Sequence, residues 1–328
     1  MALTQEFVEA HIATWENNLR NVYRPYREKW PSRLFHHAPL ENAVGILQDG
    51  NLRSRLDPRN NRVRDVAAAG VIDNRQHAHN AVRFYFRPRT PTQWNIEGIR
   101  KTGECRYGDD SHAPILVMFV FDARSLLTLE GTQFCDRNMQ LANAVPSDAE
   151  DYFSAIPFDK VYHEGGIGGD RSIIDHRCAE VLAPTPVLLA DTLQWVYCRS
   201  EAERDTLLYQ LGASARKWSK KILISDDLLV FERKFVFLEN VSLGQDGLTF
   251  QLNPRSDRKT VAIQVNAWDA NGKEVIAFQN DNFSPLPEPP AKKWRVGAKL
   301  RGGTYLVEIK LEEHLAFRAK ISLGGDLV

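Results

Sequence analysis

The stretch Phe84-Tyr85-Phe86-Arg87-Pro88-Arg89-Thr90-Pro91 places three aromatic residues directly before two arginines, each followed by a proline within two residues. The aromatic run is typical of the end of a β-strand. Proline lacks a backbone N–H and fixes φ, so Pro88 and Pro91 end the strand. The strand end therefore presents Arg87 and Arg89, and two rigid guanidinium groups beside aromatic rings suit a ligand with phosphates and bases. An exposed Arg-Pro turn is the plain alternative.

Length and composition indicate a globular protein of two domains. The chain has 328 residues, more than one ordinary hydrophobic core holds, and 43% of them are hydrophobic and 26% charged. The formal net charge is zero, yet residues 51–106 carry twelve Lys and Arg against five acidic residues, a balance of +7. Eleven of the twelve are Arg, which favours contact with phosphates or bases over a merely solvated basic face.

The cysteines and the termini indicate a cytoplasmic protein. Cys105, Cys135, Cys178 and Cys198 form no Cys-x-x-Cys pair, so we expect neither a zinc site nor a required disulfide. Residues 1–20 lack the apolar core of a signal peptide, and no window of the sequence is apolar enough to span a membrane.

The first two thirds of the chain have the pattern of a mixed α+β domain. Apolar spacing predicts helices over residues 4–20, 41–48 and 200–211, the second of them stopping at Gly50. Strands are predicted over residues 81–86, 115–121, 179–182 and 192–197. The apolar run 115–121 is expected to be buried on both faces. Residues 51–80 are expected to form a long functional loop with a short helix near 65–72.

From about Leu228 the pattern changes to strand-like runs separated by turn signals. Strands are predicted over residues 228–238, 248–252, 260–267, 303–311 and 316–323. Turns are predicted at residues 244–247, 253–254 and 271–272, and the Pro-rich segment 285–290 is expected to be an exposed connection. This part of the chain therefore predicts a C-terminal all-β, sandwich-like domain.

Four segments of the first domain carry side chains suited to chemistry. They are Phe35-His36-His37, the arginine-bearing strand end, Phe134-Cys135-Asp136-Arg137-Asn138 and Arg177-Cys178-Ala179-Glu180-Val181-Leu182. Each has a structural alternative: a helix cap or core donor for His36, and a water-facing strand position for Glu180. If Glu180 instead points into a cleft, it is desolvated by its neighbours, as functional carboxylates are.

Taken in order, these segments resemble the motifs of the DarT family of NAD-dependent DNA ADP-ribosyltransferases. The family's first motif, Tyr-His-x-Thr…Asn-Leu…Ile-Leu…Gly, is similar to Phe35-His36-His37-Ala38…Asn42-Ala43…Ile46-Leu47…Gly50. Its most specific motif is His-Asp-Tyr-Val-Pro followed by Phe-Tyr-Phe-x-Pro-Arg-Ser-Pro-Met. That motif is similar to His79-Asn80-Ala81-Val82-Arg83-Phe84-Tyr85-Phe86-Arg87-Pro88-Arg89-Thr90-Pro91-Thr92.

Two further motifs complete the resemblance, which spans about residues 34–211. Residues 134–138 match the family's Phe-x-Asp-x-Asn motif, and Glu180 matches the glutamate of its Arg-x-Ala-Glu-x-Leu strand. The resemblance implies an α+β fold, an ADP-ribosyltransferase-like split mixed β core with helices. It also implies transfer of ADP-ribose from NAD, the co-substrate, to a nucleic-acid base, as in toxins of bacterial toxin–antitoxin and phage-defence systems.

The resemblance and the strand pattern together divide the chain into an N-terminal helical extension (1–30), a DarT-like domain (31–215) and the β-sandwich domain (224–328). Glu180 is expected to stabilise the positive charge that develops as nicotinamide leaves, and Arg89 to handle the acceptor base. The expected cofactor-binding residues are His36, Asn42, Tyr85 and Phe86. The expected contacts to the nucleic-acid backbone are Arg53, Arg55, Arg62, Arg64, Arg75 and Arg87. No metal ion is required for these steps.

The sequence leaves the acceptor open between thymidine or guanosine in DNA and bases in RNA. Single-stranded DNA is favoured, since the base must be accessible. The rival hypotheses are an RNA-modifying enzyme of the same fold, a non-catalytic nucleic-acid-binding protein of that fold, and a protein-modifying transferase. A cognate antitoxin is the expected protein partner. For the β-sandwich domain we expect structural support, and docking of an antitoxin or recognition of a phage product are the alternatives.

Overall fold

A computed structural model describes residues 2–64, 79–106, 108, 111–254, 259–284 and 293–324. The chain divides into two compact units. The first comprises Met1–Asn95, Val117–Tyr197 and Ser225–Phe231, and the second Ile96–Leu116, Cys198–Ile224 and Glu232–Val328. Segments of the two units alternate along the chain. This division differs from the three predicted domains, and the limits of those domains stay predictions. The helix predicted near residues 65–72 and the connection 285–290 lie outside the described residues.

The helices before residue 193 are mostly short. They are α1 (Gln5–Asn18), α2 (Leu40–Asp49), α3 (Pro91–Ile96), α4 (Ala123–Leu127), α5 (Glu150–Ser154), α6 (Phe158–Val161), α7 (Ser172–His176) and α8 (Leu189–Thr192). Thr4 caps α1 by accepting from the Phe7 N–H at 3.2 Å. Gly50 ends α2 with φ of 73°, a left-handed conformation that favours glycine. The first two predicted helices are therefore confirmed.

The strands of the first unit form one main sheet and one short pair. They are β1 (Arg33–Pro39), β2 (Asn51–Leu52), β3 (Val82–Tyr85), β4 (Leu116–Asp122), β5 (Gln133–Cys135), β6 (Glu180–Ala183), β7 (Val187–Leu188) and β8 (Leu193–Tyr197). In the main sheet these strands follow the order β5-β6-β3-β1-β4-β8, while β2 pairs with β7. The predicted strands at 81–86, 115–121, 179–182 and 192–197 are confirmed as β3, β4, β6 and β8.

The centre of this sheet is apolar on both faces. Every residue of β4 except Asp122 is buried, as predicted from its unbroken apolar run. Phe84 and Phe121 pack edge to face with ring centroids 4.9 Å apart. β1 and β5 lie outside the strands predicted from apolar runs, because β1 carries two histidines and β5 has three residues.

Within the described residues, the second unit contains two antiparallel sheets and two α-helices. Its elements are α9 (Glu201–Leu211), α10 (Ala215–Trp218), β9 (Ile222–Leu223), β10 (Leu238–Gly244), β11 (Gly247–Leu252), β12 (Val261–Trp268), β13 (Glu274–Phe283), β14 (Lys293–Gly297), β15 (Gly303–Leu311) and β16 (His314–Leu323). The sheets have the orders β10-β11-β14 and β13-β12-β15-β16. They share a buried core to which Phe250, Val265 and Phe317 belong. The expected mixed α+β part and the separate all-β sheets are thus confirmed.

The strand predicted over residues 228–238 is wrong. Leu229 and Arg233 have φ of 47° and 53°, which a β-strand does not tolerate. The buried Glu97 carboxylate accepts the N–H groups of Glu232 and Arg233 at 3.0 and 2.9 Å, so these donors are satisfied without a ladder. The strand begins only at Leu238. None of the helices in the described ranges has the length and apolar character of a membrane-spanning segment.

Candidate active site

One row of paired residues crosses four adjacent strands where β3 and β5 end and β6 begins. Phe35 of β1 pairs with Tyr85 of β3. Tyr85 pairs with Glu180 of β6, and Glu180 pairs with Cys135 of β5. The row therefore brings the histidine segment, the aromatic–arginine strand and the Glu180 strand to one place on the sheet.

Glu180 is fully buried at 0% exposure and is held by a charged neighbour. Arg83 of β3 donates to both carboxylate oxygens, from Nε at 2.6 Å and from Nη2 at 2.5 Å. Such a two-pronged pair fixes the plane of the carboxylate as well as its charge. Burial acts to lower the pKa of Arg83, and the charge of Glu180 outweighs it, so this pKa lies above its ordinary value.

The Phe-x-Asp-x-Asn segment supports this pair from the side. The Met139 N–H donates to Glu180 Oε1 at 3.4 Å, and Arg83 Nη2 donates to Asn138 Oδ1 at 3.4 Å. Asn138 Nδ2 in turn donates to Thr92 Oγ1 at 3.4 Å. Asp136 instead pairs with Arg137. Burial acts to raise the pKa of the Asp136 carboxyl, and Arg137 outweighs this and lowers it.

His36 is joined to the same strand. Its Nδ1 lies 2.9 Å from the Arg83 carbonyl oxygen. Its packed surroundings lower the pKa of His36 to about 4, so the ring is neutral at pH 7. A neutral ring beside a carbonyl must carry its proton on Nδ1, which leaves Nε2 as an acceptor. His36, Arg83 and Glu180 therefore form a connected line across β1, β3 and β6.

His37 stands beside Tyr85. The two rings are stacked, with centroids 5.5 Å apart and planes 13° apart. Burial, with the charges of His36 and Arg83, lowers the pKa of His37 to about 3, so this ring is also neutral. Both ring nitrogens of His37 are buried and contact no hydrogen-bonding group among the described residues. A donor and an acceptor are thus available beside an aromatic face.

The other two expected cofactor-binding residues are placed differently. Asn42 accepts the N–H groups of Val63 and Arg64 at 3.0 and 2.9 Å, and its Nδ2 donates to the Arg64 carbonyl at 2.6 Å. Its amide thus holds the loop that follows β2. Phe86 is 2% exposed and packs edge to face on Phe158, with centroids 5.2 Å apart. The NAD-binding roles of both residues stay predictions.

Arg89 leaves the end of β3 with an unusual backbone. Its φ is 55°, which costs a residue with a side chain about 1 kcal/mol or more. The Arg89 N–H donates to Gln93 Oε1 at 2.8 Å, and Gln93 Nε2 donates to the Val230 carbonyl at 2.8 Å. Gln93 is fully buried. This amide bridge fixes the direction in which the Arg89 side chain leaves the strand.

The two arginines of the strand end lie against aromatic rings that precede β1 in the sequence. The Arg87 guanidinium lies 5.0 Å from the Trp30 centroid, and that of Arg89 lies 5.4 Å from the Tyr26 centroid. Arg89 forms a close ion pair with Glu164. Arg87 is 3% exposed and donates to the His163 carbonyl. A contact from Arg87 to nucleic acid stays a prediction.

The remaining predicted nucleic-acid contacts lie in the segment after α2. Arg53 is bound to two carboxylates, with Nε 2.6 Å from Asp49 and Nη1 3.1 Å from Asp57. Arg55 and Arg64 are half-buried, and Arg62 is exposed. Arg75 lies outside the described residues. The structure therefore leaves the nucleic-acid roles of these arginines as predictions.

All four cysteines are buried free thiols. Burial raises the pKa of Cys135 and of Cys178 to about 11 and also raises that of Cys198, so these three groups are protonated at neutral pH. Within the described ranges, no three His, Cys, Asp or Glu side chains stand close enough together to hold a metal ion.

Sequence reasoning missed four side chains of this region: His37, Arg83, Gln93 and Glu164. The pair of adjacent histidines could have pointed to His37. Neighbouring strand residues face opposite sides, so one of the two rings lies on the same face as Tyr85. Arg83 stood within a recognised motif but at a position where the family pattern has proline. Nothing local pointed to Gln93 or Glu164, because their partners are set by tertiary packing.

Comparisons with known structures gave matches of low identity. A DarT from Thermus sp. 2.9 in complex with ADP-ribosylated single-stranded DNA is 18% identical, with a TM-score of 0.48, and the match covers 60% of this chain and 96% of that one. The same protein in complex with NAD+ is 17% identical, with a TM-score of 0.45, and the match covers 60% of this chain and 97% of that one. Thermosipho africanus DarTG in complex with ADP-ribose is 13% identical, with a TM-score of 0.41, and the match covers 64% of this chain and 52% of that one. A search of the curated proteins found no match.

The family model described as "ssDNA thymidine ADP-ribosyltransferase, DarT" matches residues 35–229. The matched region begins at Phe35 and includes the strand-end arginines and Glu180. It covers more than half of the sequence. The resemblance seen in the motifs is therefore confirmed, and this chain belongs to the DarT family of single-stranded-DNA thymidine ADP-ribosyltransferases.

Proposed function

We propose that this protein transfers ADP-ribose from NAD to a thymidine base of single-stranded DNA and releases nicotinamide. The observation that carries the proposal is the line from His36 through Arg83 to Glu180 across three neighbouring strands. Family membership supports the class of reaction and the acceptor. In the transfer, the bond between nicotinamide and ribose breaks, a bond from ribose to a base nitrogen forms, and that nitrogen loses its proton.

The fit of the site to NAD rests on side chains with unused hydrogen-bonding atoms. His37 has two buried ring nitrogens with no partner among the described residues. Ribose hydroxyls and a carboxamide match these groups, and the Tyr85–His37 stack gives a flat apolar wall. His37 and Tyr85 would hold NAD, which supplies the ADP-ribosyl group and its leaving group, and His36, on the opposite side of β1, would support them through the Arg83 carbonyl.

Glu180 is the group that faces the developing charge. A fixed, desolvated carboxylate stabilises a nearby positive centre far more than a solvated one does. Arg83 holds this carboxylate in a fixed orientation, but it also offsets its negative charge. Arg89, whose backbone N–H donates to Gln93, is the group that we assign to the acceptor base.

We further propose a cytoplasmic toxin that a cognate antitoxin protein restrains. This part is supported by the family resemblance alone. Expression of the wild-type chain should stop growth of a bacterial host, and expression of Glu180→Gln at the same level should not.

The enzyme proposal is tested with labelled NAD and three acceptors: a single-stranded DNA oligonucleotide with thymidine, the same oligonucleotide with thymidine replaced by cytidine, and an RNA of matched sequence. We expect label on the first alone, located on thymidine by mass spectrometry. Glu180→Gln keeps the shape of the side chain and should reduce labelling by at least ~100-fold. Equal labelling by both proteins would refute the role of Glu180, and label on RNA alone would refute the DNA acceptor.

A further inference from the structure

Four arginines surround one carboxylate in the first unit. Glu164 lies 3.9 Å from Arg24, 3.9 Å from Arg27 and 3.7 Å from Arg87, and it forms a close ion pair with Arg89. Its side chain is 8% exposed. The Tyr26 hydroxyl also donates to Glu164 Oε2 at 2.7 Å. We call these four arginines and Glu164 the arginine cluster.

Charge within the arginine cluster is unbalanced. One carboxylate among four guanidinium groups leaves three positive charges. The excess of positive charge affects the pKa of Arg27. Burial lowers this pKa, Glu164 raises it, and Arg24 and Arg89 lower it further. A group with more negative charge and more acceptor oxygens than a carboxylate would therefore bind here more strongly than Glu164 does.

Donors in the arginine cluster also remain unused. Arg27 Nε and Arg89 Nε are buried, and neither donates to an acceptor among the described residues. Arg27 is anchored by its Nη2, which donates to the Tyr162 carbonyl at 2.9 Å. Arg24 is different, since its side chain is 44% exposed. The cluster thus combines an open arginine at its rim with unsatisfied donors inside.

Two members of the arginine cluster come from outside the family-matched region. Arg24 and Arg27 precede residue 35, where the family match begins. Arg89 is the residue that we assign to the acceptor base. The N-terminal segment of this chain therefore adds positive charge directly beside the proposed acceptor side of the site.

We infer that Arg24, Arg27 and Arg89 form a phosphate subsite, with Glu164 as an internal occupant that a phosphate displaces. The ligand chemistry is a phosphate ester, which is present both in the backbone of single-stranded DNA and in the pyrophosphate of NAD. The inference rests on the proposed function for the identity of these two sources. Displacement of Glu164 also replaces the ion pair of Arg89 with a contact to the phosphate, so occupation of the subsite changes the partner of Arg89.

The test measures binding of a fluorescent single-stranded oligonucleotide by anisotropy and of NAD by calorimetry. The double variant Arg24→Gln/Arg27→Gln removes two charges from the arginine cluster. Arg20→Gln/Lys29→Gln is the matched control: it removes the same charge from nearby positions whose ion-pair partners, Glu28 and Asp227, lie outside the arginine cluster. Glu164→Gln removes the internal occupant.

For a DNA phosphate, we expect the cluster double variant to bind DNA ~10-fold more weakly than wild type. The slope of its affinity against salt concentration, on logarithmic axes, should be shallower by about 0.7 for each phosphate that the protein no longer neutralises. Its NAD affinity should then match wild type. Weaker binding of NAD alone would instead assign the subsite to the pyrophosphate. Glu164→Gln should bind the same ligand more tightly than wild type, a gain that misfolding cannot produce.

Unchanged affinity for both ligands in the cluster double variant, or an equal loss in the control, would overturn the subsite. Failure of the proposed function looks different: the wild type would label no thymidine. A wild type that labels thymidine, with cluster variants that bind and label equally well, would leave the function standing and remove the subsite.

Discussion

Arg83 binds the Glu180 carboxylate through two nitrogen atoms. The arginine side chain is 23% exposed, whereas the carboxylate that it binds is 0% exposed. Arg83 occupies the position of a proline in the family motif that it otherwise resembles. The candidate catalytic carboxylate of this chain is thus paired with a counter-ion at that position.

The first prediction concerns the stability of this pair. Arg83→Gln leaves a buried carboxylate uncompensated and should lower the free energy of unfolding by about 3 kcal/mol. Glu180→Gln should also destabilise, and the double variant should lose less than the sum of the two, with a coupling of about 1–3 kcal/mol. Urea unfolding measures all four proteins. Additive effects would show that the two groups do not interact in solution.

The second prediction concerns the guanidinium of Arg89. Arg89→Lys keeps the charge and loses the planar fork of donors, so transfer to DNA should fall by at least ~10-fold. Arg20→Lys, at an exposed position, serves as the control and should act as wild type does. Full activity of Arg89→Lys in the thymidine-labelling assay would remove Arg89 from the mechanism.

The third prediction concerns the backbone of Arg89. Gln93→Ala removes the acceptor of the Arg89 N–H and the donor to the Val230 carbonyl, in a fully buried place. We expect a loss of about 1–3 kcal/mol in stability and a fall in kcat for transfer that exceeds any change in KM for NAD. Gln93→Glu keeps the acceptor and should retain more activity, provided that it folds. A KM effect alone would place Gln93 on the NAD side.

The fourth prediction separates two roles of Asn42. If it holds the Val63–Arg64 loop, Asn42→Asp keeps the acceptor for both N–H groups and should be milder than Asn42→Ala. Limited proteolysis should then cleave Asn42→Ala faster near residue 63, while KM for NAD stays within about twofold of wild type. A large rise in KM for NAD in both variants would support the direct NAD contact predicted from the sequence.

The fifth prediction concerns the stability of the folded protein at acidic pH. His11 of α1 packs on Phe153 and Phe158, with ring centroids 4.8 and 4.4 Å away, and burial lowers the pKa of His11 to about 4. The unfolded chain, with an ordinary pKa near 6.5, binds this proton first, so stability falls as pH drops from about 6.5 to 4. His11 contributes no more than roughly 3 kcal/mol to this fall. His11→Gln should flatten the pH dependence of urea unfolding between pH 7 and 5, and an unchanged slope would contradict the assignment.

Segments with a regular apolar pattern or a clear end signal were predictable from the sequence. The apolar run of β4, the capped helix α2 and the strand β15 all follow from local patterns, and each is confirmed. Residues 228–237 show the limit: they are apolar enough for a strand, but two left-handed residues and the Glu97 carboxylate decide otherwise. β13 was missed because its segment Gln279 to Asn282 is polar and exposed.

The candidate site was predictable as a set of motifs and not as a network. Motif order brought out His36, Arg89 and Glu180, since each stands in a recognisable local context. The pairing of Arg83 with Glu180 joins residues 97 positions apart, and that of Arg89 with Glu164 joins residues 75 apart. Such pairs depend on strand order and loop packing, which no local pattern encodes.

The burial of all four native thiols makes the protein a convenient subject for site-specific chemistry. A maleimide reagent should leave the folded wild type unmodified, so cysteines introduced at exposed positions become the attachment points. One spin label at Arg20 and another at exposed Gly166 would then report the distance between the N-terminal segment and the loop that carries Glu164. Titration with oligonucleotide would show directly whether that loop shifts when DNA arrives.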